Sequence, residues 1–194
     1  MKNIAYIQGL NSSSTSFSYI ISCLPEHNAH RINYNSNQNL EASIAEVMSK
    51  LPATEKLTLV AHSLGGVIAT LVAGKIPEQI ERIIIISAPI KGSRAAITMR
   101  WIPGCSRVLH DIIPTAPHIL HCRSLKLDMP ALSIISTGGN LQPSPVPNDG
   151  VVTISSQRGL SFGKQVEINA THFEVLLNDK TVKTIQDFIF TEAE

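Results

Sequence analysis

Runs of continuous Ile- and Val-rich residues alternate with segments of helical spacing along most of this chain. The runs "KLTLVA" and "ERIIIISAP" contain the consecutive apolar residues "LVA" and "IIII", and "SLGGVIATLVAGK" between them has the length and composition of a helix. Strands that are apolar on both faces are typical of a parallel sheet covered by helices on both sides. The alternation therefore predicts an α/β fold built on a doubly wound, mainly parallel sheet.

The remaining pattern completes a sheet of about six strands. Further strands are predicted at 3–9, 30–35, 131–137 and 164–170, with helices at 17–24, 39–51 and 179–190. A chain of 194 residues is long enough for one domain with a full core. We predict a single domain over 1–194, in which the less regular stretch 91–128 forms an irregular or helical cap.

Charge and cysteine content exclude several classes of function. The formal net charge is +1 and the basic residues form no runs, which argues against nucleic-acid binding. The start "MKNIAYIQGL" lacks the features of a signal peptide, and no segment has the roughly 18 apolar residues of a transmembrane helix. Three cysteines without CxxC spacing indicate neither disulfides nor a zinc site, so we expect a cytoplasmic protein with reduced thiols.

The segment Ala61 to Gly65, "AHSLG", lies where a predicted strand passes into a predicted helix. It is the G-x-S-x-G pattern with alanine at its first position, the sequence of a sharp turn that exposes a nucleophilic serine. Small residues are needed there because the turn brings neighbouring backbone close together. Ser63 is thus the candidate nucleophile; the alternative is a helix N-cap beside a glycine that permits tight packing.

A nucleophilic serine needs a base and an acid, in the chain order Ser, Asp or Glu, His for this kind of turn. Asp149 lies in the loop "PSPVPNDGVV" after one predicted strand, and His172 follows the last strand. Both loops are expected at the carboxyl edge of the sheet, beside Ser63. The alternatives are that Asp149 is only a turn residue before Gly150, and that His172 caps a turn or packs on Phe173.

Other acids and histidines are less well placed for these roles. Asp111 lies in the irregular middle of the chain, and Asp128 precedes a strand at its amino end; Glu174 is a further alternative acid. His62 is next to the serine, but we expect it to point away and to serve in packing. The other histidines do not follow the last strand.

An oxyanion formed during acyl transfer requires backbone N–H donors. The first is expected from Leu64, the residue after the nucleophile, and the second from Leu10 in the loop after the first strand. Gly9 allows the bend that would direct the Leu10 N–H into the site. The polar run from Asn11 to Ser16 could equally be an ordinary loop or a helix N-cap.

Four motifs together resemble the α/β-hydrolase superfamily, especially small lipases and esterases with an alanine at the nucleophile turn. They are "AHSLGG" after an apolar strand, "SAPIKGSRAA" after the next, "NDGVV" followed by "SSQ", and a late "THFEVL". The resemblance covers most of the chain and implies a serine ester hydrolase with Ser63, Asp149 and His172 as the triad. The chain departs from the family at Gln8-Gly9, where His-Gly is usual.

The stretch 91–128 holds six of the 16 lysines and arginines but only two of the 15 acidic residues. Apolar residues stand beside its arginines in "AAITMRWIPG". One interpretation is a cap that binds an acyl chain through Trp101 and Met99, or that contacts an anionic surface. The other is a solvated cover whose apolar residues complete the core.

The predicted reaction is cleavage of a carboxylic ester through an acyl-enzyme on Ser63, with a small-molecule ester or lipid as substrate. It requires no metal and no organic cofactor. The same triad would serve a thioesterase, a sugar O-deacetylase or an acyltransferase, and the turn does not distinguish them. A hydrolase fold kept as an inactive binding protein is the alternative of a different class.

Overall fold

The computed structural model describes residues 1–53, 56–139 and 146–191. Its strands are β1 (Asn3–Ile7), β2 (Asn28–Ile32), β3 (Leu57–His62), β4 (Ile80–Ile86), β5 (Ala131–Ser136) and β6 (Lys164–Ile168). Its α-helices are α1 (Ser18–Cys23), α2 (Leu40–Lys50), α3 (Leu64–Lys75), α4 (Ala95–Met99), α5 (Pro117–Ser124), α6 (Ile154–Gln157) and α7 (Asp179–Phe190).

The six strands form one sheet in the order β2-β1-β3-β4-β5-β6, and every neighbouring pair is parallel. The chain moves outward from β1 to β2, then returns to β3 on the other side of β1. Helices α2, α3 and α5 contribute to the core on one face, and α1 and α7 to the core on the other. The predicted doubly wound α/β fold is confirmed. The strand order changes direction between β1 and β3, and sheets of this kind bind ligands at that point.

The boundaries of the strands and helices differ from the predicted ones mainly at the edge of the sheet. The strand predicted at 30–35 is found at Asn28–Ile32, because β2 is an edge strand with little apolar patterning. Tyr34, which helped to place the prediction, lies beyond the strand and hydrogen-bonds to Gln8. Helix α3 begins at Leu64, so Ser63 stands outside it as the N-cap residue.

The stretch 91–128 forms three short helical segments, α4, a 3-10 turn at Arg107–His110, and α5. Its inner side chains, among them Ala96, Leu109 and Ile112, belong to the same core as α3. Asp111 accepts a hydrogen bond from the Leu40 N–H at 2.8 Å and so satisfies a backbone donor at the start of α2. The stretch is therefore packed onto the domain at several points.

No helix in the described part of the chain combines the length and the apolar character needed to cross a bilayer.

Candidate active site

Ser63 occupies a sharp turn between β3 and α3. Its backbone has φ 54° and ψ −125°, a conformation that L-residues rarely adopt. The Ser63 N–H donates to the Ile86 carbonyl at 2.9 Å, which fixes the turn to the end of β4. Strain of this kind persists only where the surrounding structure holds it, and it presents the Ser63 hydroxyl at the carboxyl edge of the sheet.

Gly65, just after this turn, and Gly9, in the loop after β1, lie where little room is left for a side chain. A Cβ on Gly65 would lie 2.4 Å from the carbonyl oxygens of both Ile7 and Gln8. A Cβ on Gly9 would lie 3.0 Å from the Ser63 Cβ. The end of β1 thus packs against the turn and the start of α3 too closely for larger residues at these positions, as the small-residue pattern of the sequence predicts.

Ser63, His172 and Asp149 form a continuous hydrogen-bonded line. The Ser63 Oγ lies 3.0 Å from His172 Nε2, and His172 Nδ1 lies 2.7 Å from Asp149 Oδ2. A carboxylate can only accept, so Nδ1 carries the proton and Nε2 is free to accept the hydrogen of the Ser63 hydroxyl. This arrangement can remove the Ser63 proton and return it to a leaving group.

Asp149 is fully buried and its carboxylate is held by donors on both oxygens. Oδ1 accepts the N–H groups of Val151 and Val152, at 2.9 and 2.7 Å. Burial alone would raise the pKa of Asp149, but hydrogen bonds from His172 and other donors together hold it below its usual value. The Asp149 carboxylate is therefore ionised and can stabilise a positive charge on the neighbouring imidazole.

His62 packs behind His172 and hydrogen-bonds to its backbone. Its ring is buried, lies 4.7 Å from the His172 ring centroid to centroid, and its Nε2 is 2.8 Å from the His172 carbonyl oxygen. Because a carbonyl only accepts, His62 Nε2 carries a proton and donates it. Burial, aided by the nearby His172, lowers the pKa of His62 to about 3, so this ring stays neutral. Its role thus includes holding the His172 backbone as well as packing.

Two glycines after β5 allow close contacts with the loops that carry Asp149 and His172. A Cβ on Gly139 would lie 1.7 Å from the Asp149 carbonyl carbon, and one on Gly138 would lie 2.8 Å from Ala170 backbone. The His172 N–H donates to the Asp149 carbonyl at 2.8 Å, which locks the two loops to each other. The first residues of the loop predicted to carry Asp149, 143–145, lie outside the described residues.

The proposed oxyanion donors, Leu10 and Leu64, both lie beside Ser63 at the wall of one cavity. In the described ranges, no hydrogen bond uses the backbone N–H of either residue. Gln8, which replaces the usual histidine before the glycine, donates from Nε2 to the Tyr34 carbonyl at 3.2 Å, and the Tyr34 hydroxyl donates to the Gln8 carbonyl at 3.0 Å. This reciprocal pair anchors the loop that carries Leu10.

The cavity above Ser63 has a volume of about 190 Å³ and a mainly apolar wall. Met99 of α4 lines it, together with Leu109 and Ile112 from the stretch 91–128. Trp101, the other predicted substrate-binding residue, is not brought to the cavity. Trp101 is 72% exposed, and the Arg100 guanidinium lies over its ring, 5.0 Å from the ring centroid.

The alternative acids have other places in the structure. Asp111 holds the first turn of α2, and Asp128 is exposed before β5, at the amino end of that strand. Glu174 accepts hydrogen bonds from the backbone and hydroxyl of Thr171. The structure therefore brings only Asp149, among the acids considered from the sequence, into contact with His172.

Two buried residues of the site were missed by sequence reasoning, Ser136 and Gln157. Ser136 Oγ donates to Asp149 Oδ2 at 2.6 Å, and Gln157 Nε2 donates to the same oxygen at 3.0 Å. The only sequence signals were a serine that ends an apolar strand and the "SSQ" that follows "NDGVV". Neither signal indicates contact with Asp149, since the contact depends on how α6 lies against the end of β5.

Comparison with known families finds a match over residues 29–142 to the family described as serine aminopeptidase, S33. The matched span is more than half of the chain. No curated protein sequence matches the chain significantly.

Solved structures with this fold include several lipolytic proteins. The mature lipase BlEst2 of Bacillus licheniformis is 16% identical, with a TM-score of 0.76 over 95% of this chain and 90% of that one. One of the metagenome-derived lipolytic enzymes LipS and LipT is 15% identical, with a TM-score of 0.72 over 98% and 94%. A lipase-esterase related protein from Clostridium acetobutylicum is 13% identical, with a TM-score of 0.65 over 97% and 94%. At such identities the likeness shows a shared fold.

Proposed function

Because the chain belongs to the serine aminopeptidase S33 family of the α/β-hydrolase superfamily, we propose that it is a serine hydrolase that cleaves small carboxylic esters through an acyl-enzyme on Ser63. The observation that carries the proposal is the line from the Ser63 Oγ through His172 to the buried Asp149 carboxylate, with distances of 3.0 and 2.7 Å. The geometry corresponds to an activated hydroxyl and its general base.

The proposed reaction has two steps. His172 Nε2 takes the proton of the Ser63 hydroxyl while Oγ bonds to the ester carbonyl carbon, and the tetrahedral oxyanion accepts the N–H groups of Leu64 and Leu10. The bond to the alcohol oxygen then breaks, and the alcohol leaves with the proton held by His172. Water enters and loses a proton to His172 while its oxygen bonds to the acyl carbon; the bond from that carbon to the Ser63 Oγ then breaks, His172 returns the proton to Oγ, and the acid is released.

The cavity supports small, neutral acyl groups as substrates. Its volume of about 190 Å³ lies below the roughly 300 Å³ at which drug-sized ligand sites begin. Its wall of leucine, isoleucine, valine and methionine side chains favours an apolar acyl group over the charged amino terminus that an aminopeptidase binds. We therefore place short-chain esters ahead of aminoacyl amides and of long-chain lipids.

Covalent labelling with a fluorophosphonate probe, read by intact mass, tests the nucleophile directly. The expected result is one adduct on the folded protein, followed by hydrolysis of 4-nitrophenyl acetate and butyrate in preference to aminoacyl 4-nitroanilides. Thioesters and acetylated sugars belong in the same panel, with an alcohol acceptor to detect acyl transfer. A folded protein that takes up no probe would overturn the proposal in favour of an inactive binding protein.

The proposed cap, 91–128, is expected to set acyl preference through Met99. Met99→Ala should raise kcat/KM for longer acyl chains relative to acetate, by about fourfold for each further methylene buried, since each contributes roughly 0.8 kcal/mol. Trp101→Ala is the matched control and should leave the ranking unchanged, because its ring lies outside the cavity wall. A changed ranking in Trp101→Ala alone would instead support the hypothesis, drawn from the sequence, that Trp101 binds substrate.

Peripheral contact with an anionic surface is a second proposal for the same stretch. The exposed side chains of Ile97, Met99, Trp101 and Ile102 are 42, 46, 72 and 57% accessible and stand beside Arg100. Apolar side chains next to cations favour binding at the surface of an anionic bilayer.

The expected result is cosedimentation with vesicles containing phosphatidylglycerol at low ionic strength. Binding should weaken at about 1 M salt, where the screening length falls to roughly 3 Å, and also in Trp101→Ala. Vesicles of phosphatidylcholine alone are the control. Binding that is equal for both vesicles and indifferent to salt would contradict the role of the arginines.

A further inference from the structure

The acid of the proposed triad has two side-chain donors that take no part in the triad. Ser136, the last residue of β5, donates from Oγ to Asp149 Oδ2 at 2.6 Å, and Gln157, the last residue of α6, donates from Nε2 to the same oxygen at 3.0 Å. Both side chains are essentially inaccessible to water, with exposures of 0 and 1%. Asp149 Oδ2 therefore accepts three hydrogen bonds, from Ser136, Gln157 and His172.

The orientation of the Gln157 amide is fixed by its partners. Its Oε1 accepts the Ser136 N–H at 2.9 Å, so the other end of the amide is the NH₂ group. One hydrogen of that group points to Asp149 Oδ2 and the other to the Ser136 carbonyl at 3.1 Å. Turning the amide over would set its oxygen against both a carboxylate and a carbonyl, so the observed orientation is the one that satisfies every atom.

The Ser136 hydroxyl is oriented in the same manner. The hydroxyl has one hydrogen, which it donates to the Asp149 carboxylate at 2.6 Å because a carboxylate only accepts. The Ser136 Oγ also lies 2.6 Å from the Ser87 Oγ. Ser87 must then donate to Ser136. Ser87 lies just beyond β4 with φ 52°, a strained conformation that places this hydroxyl in the buried interior. A chain of donors thus runs from Ser87 through Ser136 to the carboxylate.

We propose that Ser136 and Gln157 are positioning residues of the reaction, which aim Asp149 Oδ2 at His172 Nδ1 and hold the carboxylate ionised while His172 gains and loses its proton. The inference rests on the proposed function and extends it to residues that touch neither substrate nor nucleophile. Both act through Asp149, by supplying hydrogen bonds that are stronger to a charged acceptor than to a neutral one.

A pH shift is the consequence that a purely structural role would not produce. When the Asp149 carboxylate loses a hydrogen-bond donor, its negative charge is less well stabilised. The Asp149–His172 pair then binds a proton more tightly, so it should become protonated at a higher pH. Among the described residues, the titratable groups around Asp149 are His172 and, behind it, His62, whose ring stays neutral. Loss of a donor should therefore raise the pH at which activity is half lost on acidification, which is the midpoint of the acid limb of the pH profile.

The test measures the second-order rate of fluorophosphonate labelling of Ser63 from pH 4 to 9, with thermal melting of each variant alongside. Ser136→Ala removes one donor and should raise the midpoint of the acid limb by about one pH unit, with a rate at pH 7 reduced about tenfold or more. Gln157→Glu sets a second carboxyl group against Asp149 and should move the midpoint further upward, because two adjoining carboxylates resist joint ionisation.

Ser156→Ala is the matched control. Ser156 is also buried on α6, next to Gln157, but its Oγ donates to the Gly92 carbonyl at 2.7 Å, away from Asp149. It should lower the melting temperature without moving the acid limb.

Each of three possible outcomes leads to a different conclusion. Upward shifts in Ser136→Ala and Gln157→Glu, with none in Ser156→Ala, support the inference. If both variants melt cooperatively and label with the native midpoint, Ser136 and Gln157 are structural and the inference is overturned. If the native chain itself is not labelled at any pH, the proposed function fails first and the inference fails with it.

Discussion

Ser63→Ala is expected to take up no fluorophosphonate and to hydrolyse esters with kcat lowered by about 10⁶-fold, the loss typical when the nucleophile of a serine hydrolase is removed. In the proposed mechanism the Ser63 hydroxyl is the group of the triad that bonds to the acyl carbon, so no neighbouring group replaces it. The strained turn should survive, since it is held by the Ser63 N–H to Ile86 and by the backbone contacts of Gly65.

The control for this substitution is Ser49→Ala. Ser49 is an exposed serine on α2 whose Oγ donates to the Glu46 carbonyl, and it does not line the cavity. Native labelling and turnover are expected there. An adduct of the same mass on a folded Ser63→Ala protein would show that the nucleophile lies elsewhere, and the proposed mechanism would have to be abandoned.

Asp149→Asn is expected to lower kcat by about 10⁴-fold, because an amide facing His172 favours the wrong tautomer of the ring. The surroundings of Asp149 make the effect severe. Oδ1 accepts two backbone N–H groups and Oδ2 accepts three side-chain donors, so an NH₂ group at either position meets donors. We therefore expect a loss of thermal stability as well as of turnover.

Asp128→Asn provides the comparison for the loss of a carboxylate. Asp128 is exposed at the amino end of β5 and should tolerate the change with native kcat. The measurement is kcat for 4-nitrophenyl butyrate across both variants, with melting curves to separate unfolding from loss of chemistry. A decrease of less than about tenfold in a folded Asp149→Asn protein would remove Asp149 from the mechanism.

Much of the fold could be predicted because buried parallel strands leave a simple signal. The four consecutive isoleucines that end β4, Ile83 to Ile86, are buried and point to both faces of the sheet, and only a sheet covered on both sides accommodates them. The edge strand β2 was predicted two residues late, since a strand that is largely exposed lacks that signal. Tertiary pairing with β1, from Asn3 opposite Asn28 onward, sets its true position.

The sequence by itself determined which residues meet at the candidate site. Ser63, Asp149 and His172 each follow a strand, and parallel strands place the residues after them at one edge, so proximity follows from order and period alone. What only the tertiary structure decided is the set of groups that surround them: Ser136 and Gln157 on the carboxylate, His62 behind the base, and a cavity wall that includes Met99 but not Trp101. Those contacts depend on how helices and loops dock on the sheet, through side-chain packing and hydrogen bonds between segments far apart in the chain, and no local pattern of residues records that docking.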